Sequence, residues 1–123
     1  FFNSTSSSLK NDELPWIALS STEQLEDIKK KSSGKPQIIF KHSTRCGISR
    51  MVLNQFINSY AFDASIFDLY YLDLLRYREV SNEIAVFFQV YHQSPQILII
   101  KNGVTVAHAS HGDINDMDLN RFI

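Results

Sequence analysis

One cysteine among 123 residues leaves this chain unable to close an internal disulfide. That usage points to a reducing compartment, and a cytoplasmic location is expected. An excess of either charge is missing as well. Twelve Lys and Arg stand against 13 Asp and Glu, a formal charge of −1, which leaves no electrostatic footprint for nucleic acid or an anionic membrane. Long apolar runs are absent too. None exceeds the five residues of Ile84 to Phe88, and Ile97-Leu98-Ile99-Ile100, which stops at Lys101, is strand-sized rather than membrane-spanning. Phe1 to Ser8 lacks a basic segment followed by a long apolar core, so it does not read as a signal peptide. The chain does not open on Met, and native sequence is expected in front of it. Residues 1–13 read as a flexible polar tail and 14–123 as a single domain. That length can bury a core without disulfide or metal support.

What is present alternates between two periodicities. Trp16 to Leu19 reads as a short strand. Ser20 follows as a helix N-cap with Glu23 in capping-box spacing, and the helix runs to about Lys31 with Leu25 and Ile28 inward. Gln37 to Phe40 is a continuous apolar stretch, the pattern of a strand covered on both faces. Val52, Leu53, Phe56, Ile57 and Tyr60 recur at helical spacing. Leu69 to Leu72 is a third strand, and Val80, Ile84, Phe87, Phe88 and Tyr91 trace a third helix. Ser94-Pro95 breaks it, Gln96 to Ile100 forms a fourth strand, and Asn102-Gly103 signals a tight hairpin into Val104 to Ala109. A closing helix is predicted around Asn115 to Phe122. The expected architecture is an α/β mixed sheet of four to five strands with helices on both faces.

Cys46 lies where the second strand ends and the second helix begins, in Phe40-Lys41-His42-Ser43-Thr44-Arg45-Cys46-Gly47-Ile48-Ser49. Free N–H groups and the dipole at a helix start favour a thiolate, and a neighbouring cation such as Arg45 adds to this. The plain alternative is a buried structural cysteine. Ser49, one helical turn on, stands where a dithiol motif would carry its second cysteine, and its hydroxyl is expected either to hydrogen-bond the thiolate or to serve only as a capping group of the first helical turn. His42 reads as a solvated strand-end histidine. The spacing of His92, His108, His111 and Asp113 is too irregular for a metal site, and Asp113 is expected as a cap or turn residue. Lys29-Lys30-Lys31 closes a helix as a solvated face.

Four stretches, Lys41 to Ser49, Arg78 to Ala85, His92 to Gln96 and Ser110 to Ile114, occur in an order and spacing that resemble the bacterial monothiol bacilliredoxins. These are thioredoxin-like proteins also described as general stress proteins. The likeness covers roughly residues 15 to 123. It departs from the family at Gly47, where proline is usual after the cysteine, and at Gly112, where an aromatic residue is usual. The resemblance implies a thiol–disulfide oxidoreductase that removes bacillithiol from mixed disulfides on S-thiolated client proteins. Cys46 would attack, carry the low-molecular-weight thiol as co-substrate, and be regenerated by a second thiol. No tightly bound cofactor or metal is implied. Thr44, Arg45, Gly47, Ser94 and Pro95 would contact the substrate, with a cis bond before Pro95 and the Ser94 backbone bonding the bound thiol. Phe40 occupies the position where dithiol thioredoxins keep a buried acid that serves the second cysteine. Both that acid and that cysteine are missing here.

Two readings compete. Cys46-Gly47-Ile48-Ser49 is similar to the Cys-Gly-Phe-Ser motif of monothiol glutaredoxins that hold a [2Fe–2S] cluster with glutathione, although their di-glycine and di-acid stretch is not found. A redox-silent binding module on the same fold is the third.

Overall fold

The computed structural model describes residues 14–123, and the expected 1–13 tail lies outside them. Five strands, β1 (Trp16–Ala18), β2 (Gln37–His42), β3 (Asp68–Asp73), β4 (Gln96–Lys101) and β5 (Val104–Ser110), form one sheet in the order β1-β3-β2-β4-β5. β3 runs parallel to both β1 and β2, whereas β4 runs antiparallel to β2 and β5. β2 and β4 are the apolar runs seen in the sequence, and their position at the centre explains why both faces of each are covered.

Three α-helices cover the sheet: α1 (Glu23–Lys31), α2 (Gly47–Ser59) and α3 (Arg78–Phe87). Leu25 and Ile28 of α1 join Val80 and Ile84 of α3 against Ile39, Leu72 and Leu98 on one face. Val52 and Phe56 of α2 pack with Ile38, Phe40, Leu69 and Ile97 on the other. The Trp16, Phe56 and Phe40 rings touch around Phe40, with centroid distances of 5.2 to 6.2 Å. The place of the missing acid is thus filled by an aromatic core.

Three local expectations are corrected. The Ser20–Glu23 capping box does not form. Instead the Gln24 side chain reaches back, its Oε1 accepting the N–H groups of Ser20 (2.8 Å) and Ser21 (3.0 Å), so a residue one position later does the capping. The third helix stops before Tyr91. Gln89 takes a left-handed φ of 56°, and the Val90 N–H donates to the Ala85 carbonyl at 3.1 Å, the long bond of a Schellman ending. Tyr91 is left 94% exposed. The closing helix is two short 3-10 segments, His111–Asp116 and Leu119–Phe122. Asp113, expected as a cap or turn residue, stands in the first turn of the former. The Asn102-Gly103 hairpin forms as expected, with φ of 52° and 83° at its two central residues, the signature of a type I′ turn.

Candidate active site

β2 carries the chain to the edge of the core and α2 leads it back, so the connecting turn, residues 43–46, is held at one end of the sheet. Cys46 is the N-cap residue of α2, with φ −104° and ψ 121°. Its carbonyl accepts the first helical bond from the Arg50 N–H at 3.0 Å, and its own N–H donates to Ser43 at 3.2 Å. The thiol is free and partly exposed, unlike the buried structural cysteine that was the alternative. The helix start is bare of acids, so the orphan N–H groups of the first turn meet no side-chain anion of their own helix.

Ser49 sits on the inner face of that first turn, fully buried. Of its two expected roles, the bond to the thiolate is not the one made: the hydroxyl ties the turn instead. It lies 2.7 Å from His42 Nδ1 and accepts the Ser43 N–H at 3.1 Å. His42 is buried as well, which corrects its reading as a solvated residue: β2 extends two residues beyond the apolar run, and α2 covers its end. Burial lowers the His42 pKa, with Arg50 acting the same way and Asp73 opposing. The tautomer of the ring sets which of His42 Nδ1 and the Ser49 hydroxyl donates in this contact. His42, Ser43 and Ser49 together fix the turn that presents Cys46.

The Lys41↔Gln96 register brings residue 95 to the same end of the sheet as the 43–46 turn. The Ser94–Pro95 bond is cis, Pro95 is buried and Ser94 is partly exposed. Thr44, Arg45 and Gly47 are exposed around the thiol. The next residues of α2, Ile48 and Met51, are exposed apolar side chains.

Beneath this end of the sheet, on the face opposite α2, lies a polar group that the sequence reading missed. Lys41 is completely buried, and its Nζ contacts His92 Nδ1 at 2.7 Å and Gln96 Oε1 at 3.1 Å. Burial brings its pKa down to about 8. The only signal in the sequence was a lysine placed in phase with Ile39 on a strand covered on both faces. No cluster of three metal-ligating side chains occurs among the described residues, and no helix there is long and apolar enough to cross a membrane.

A β-α-β-α-β-α-β-β order, with a thiol at the N-terminus of α2 and a cis-proline opening β4, defines a thioredoxin-fold protein of the thiol oxidoreductase class. The family model described as monothiol bacilliredoxin BrxC matches residues 17–119, and the chain belongs to that family. Among solved structures, one described as a candidate oxidoreductase with a thioredoxin fold is 34% identical, covering 87% of this chain and 92% of its own, with a TM-score of 0.73. The thioredoxin of Trypanosoma brucei brucei is 16% identical (TM-score 0.64, 81% of each chain) and that of Malassezia sympodialis 19% (TM-score 0.64, 80% and 81%). Those two likenesses establish the fold alone.

Proposed function

We propose that the protein removes bacillithiol, or a similar low-molecular-weight thiol, from mixed disulfides on client proteins through Cys46. In this reaction the Cys46 thiolate attacks the sulfur of the small thiol. A disulfide forms between Cys46 and the small thiol while the original disulfide breaks, and the client sulfur leaves as a thiolate that takes a proton from water. A second small thiol then attacks the Cys46 adduct, releasing a symmetrical disulfide and restoring Cys46. The two electrons come from the two small thiols, so no bound cofactor is needed, and the cycle suits a reducing, cytoplasmic setting.

The observation that carries this reading is one partly exposed thiol at a helix N-terminus in a chain with no second cysteine. Such a thiol can form and pass on mixed disulfides but cannot resolve them internally. Helix N–H groups stabilise negative charge on its sulfur during exchange. Ser49 serves by holding the turn, while Thr44, Arg45, Gly47, Ser94 and Pro95 line the approach. In this reading the Ser94 backbone pairs in strand-like fashion with the bound segment.

The test is intact-mass analysis after incubation with oxidised bacillithiol and, separately, oxidised glutathione. One adduct per chain, faster with bacillithiol and lost in Cys46→Ser, supports the reading. Absence of any adduct defeats it. Anaerobic reconstitution with iron, sulfide and glutathione distinguishes the cluster-binding alternative through its visible absorption.

A further inference from the structure

Four of the five arginines, Arg45, Arg50, Arg76 and Arg78, fall in two short segments at the Cys46 end of the sheet. The β2–β3 register sets His42 beside Asp73, and the Leu74 N–H donates to the His42 carbonyl at 3.0 Å. The turns that follow the two strands therefore lie side by side. Between them opens a cleft of about 410 Å³ lined by Thr44, Arg45, Asp73, Leu75 and Arg76.

All four guanidinium side chains are exposed. The one ion pair found among the described residues, Lys35–Asp68, involves none of them. Arg50 donates to the Thr44 carbonyl at 3.2 Å, and Arg76 lies 5.4 Å from the Tyr77 ring centre. The carboxylate within the cleft, Asp73, has its Oδ1 occupied by the N–H groups of Leu75 (3.2 Å) and Arg76 (3.4 Å). Glu79 is the other acid of these segments. Four cations against two carboxylates, in a chain whose total charge is −1, concentrate positive potential beside the thiol.

We propose that Arg45 and Arg76 make this cleft a carboxylate-binding subsite, so that the small thiol exchanged at Cys46 is one bearing carboxylate groups. The inference rests on the thiol-exchange reading and adds the charge class of the thiol. A planar guanidinium with no acid of its own matches a carboxylate through two parallel N–H donors. Thr44 offers a hydroxyl beside the pair, and Leu75 an apolar wall for the carbon skeleton. Because the subsite adjoins the Thr44–Cys46 turn, an anchored carboxylate holds the thiol's sulfur close to Cys46. Both bacillithiol and glutathione carry carboxylates, so the subsite defines the shared chemistry of either source.

The experiment uses the whole reduced chain and three symmetrical disulfides, those of mercaptosuccinate (anionic), 2-mercaptoethanol (neutral) and cysteamine (cationic). Rates of Cys46 adduct formation are read by intact mass at low ionic strength. Each is divided by the rate of the same disulfide with a simple alkyl thiol. The anionic-to-neutral ratio is expected to exceed the cationic-to-neutral ratio by about tenfold or more, the size of one charge-assisted hydrogen bond. Arg45→Gln and Arg76→Gln each collapse most of that difference. Lys101→Gln removes the same charge away from the cleft and leaves the ratio within about twofold. Equal normalised rates for the three disulfides overturn the subsite while leaving thiol exchange standing. A preference that survives both arginine variants, or falls equally in Lys101→Gln, also overturns it. No adduct with any disulfide defeats the exchange reading itself.

Discussion

His42 Nδ1 and the Ser49 hydroxyl stand 2.7 Å apart with both side chains buried, and the same hydroxyl accepts the Ser43 N–H. Ser49 therefore joins the end of β2 to the first turn of α2 and holds the loop between them. Ser49→Ala removes the partner of one buried and one partly buried polar group at once. The expected cost is about 1–3 kcal/mol of stability, measured by urea unfolding. The rate of Cys46 adduct formation should fall as well, since the turn carrying the thiol loses its tie.

Burial pulls the His42 pKa below its ordinary 6.5, and His92 is lowered in the same direction by burial, Lys41 and Arg78. Above pH 6.5 both rings are neutral in the folded and the unfolded chain, and their contribution is fully present. Below it the unfolded chain takes up protons first, so stability is lost as pH falls through the lower folded values. The urea midpoint should therefore decline from pH 7 to pH 5. The decline should be shallower in His42→Gln, and an equal decline in both proteins would remove His42 from the account.

Lys41 gives the opposite end of the pH range a marker. Its pKa drops from 10.5 to about 8 on folding, so between these values the unfolded chain binds more protons than the folded one. Stability relative to a Lys41→Met variant should then rise from pH 8 toward 10.5. Comparison with the variant cancels the contribution of Tyr60 and Tyr70, whose pKa values are pushed up to about 12. Matched urea titrations of the two proteins at several pH values measure the difference directly.

The element order was legible because β2 is an apolar run between two amphipathic helices and β4 one between an amphipathic helix and a hairpin turn, a contrast of period that survives without tertiary information. Cys46 was legible because its place at a strand-to-helix junction depends only on those two patterns. Lys41 and His42 were not. Polar residues at a strand end read as solvated, and only the packing of α2 over His42, and of the residue 91–95 loop over Lys41, buries them. The end of α3 was hidden for a related reason. Phe88 and Val90 are both buried, so the apolar pattern continues past the helix, while the turn that ends it rests on a backbone angle at Gln89. The arginine cleft joins segments 30 residues apart in the chain, and only the β2–β3 pairing brings them together.

Gln89 itself offers a stability test independent of the site. A left-handed conformation costs an L-residue roughly 1–2 kcal/mol, a penalty glycine avoids at some entropic expense in the unfolded chain. Gln89 is exposed, so little packing is lost. Gln89→Gly should raise stability by about 0.5–1 kcal/mol, seen as a higher urea midpoint with unchanged slope.

Gly47 departs from the proline usual after the cysteine in this family, and the structure allows proline back. A Cβ at Gly47 would meet nothing within 4 Å, and the residue is the first of α2, where a helix needs no N–H donor and tolerates a fixed φ. Cys46 already holds the extended conformation, φ −104° and ψ 121°, that a following proline demands. Gly47→Pro should therefore fold unchanged and gain about 0.4–1 kcal/mol by restricting the unfolded chain, with a rise of a few °C in Tm. Adduct formation at Cys46 provides the second readout. The Gly47 N–H is one of the free donors of the first turn, so if it supports the thiolate during exchange, the more stable variant reacts more slowly. An unchanged rate would assign that support to the later N–H groups of the turn. A loss of stability would show that the α2 start relaxes away from helical geometry in solution.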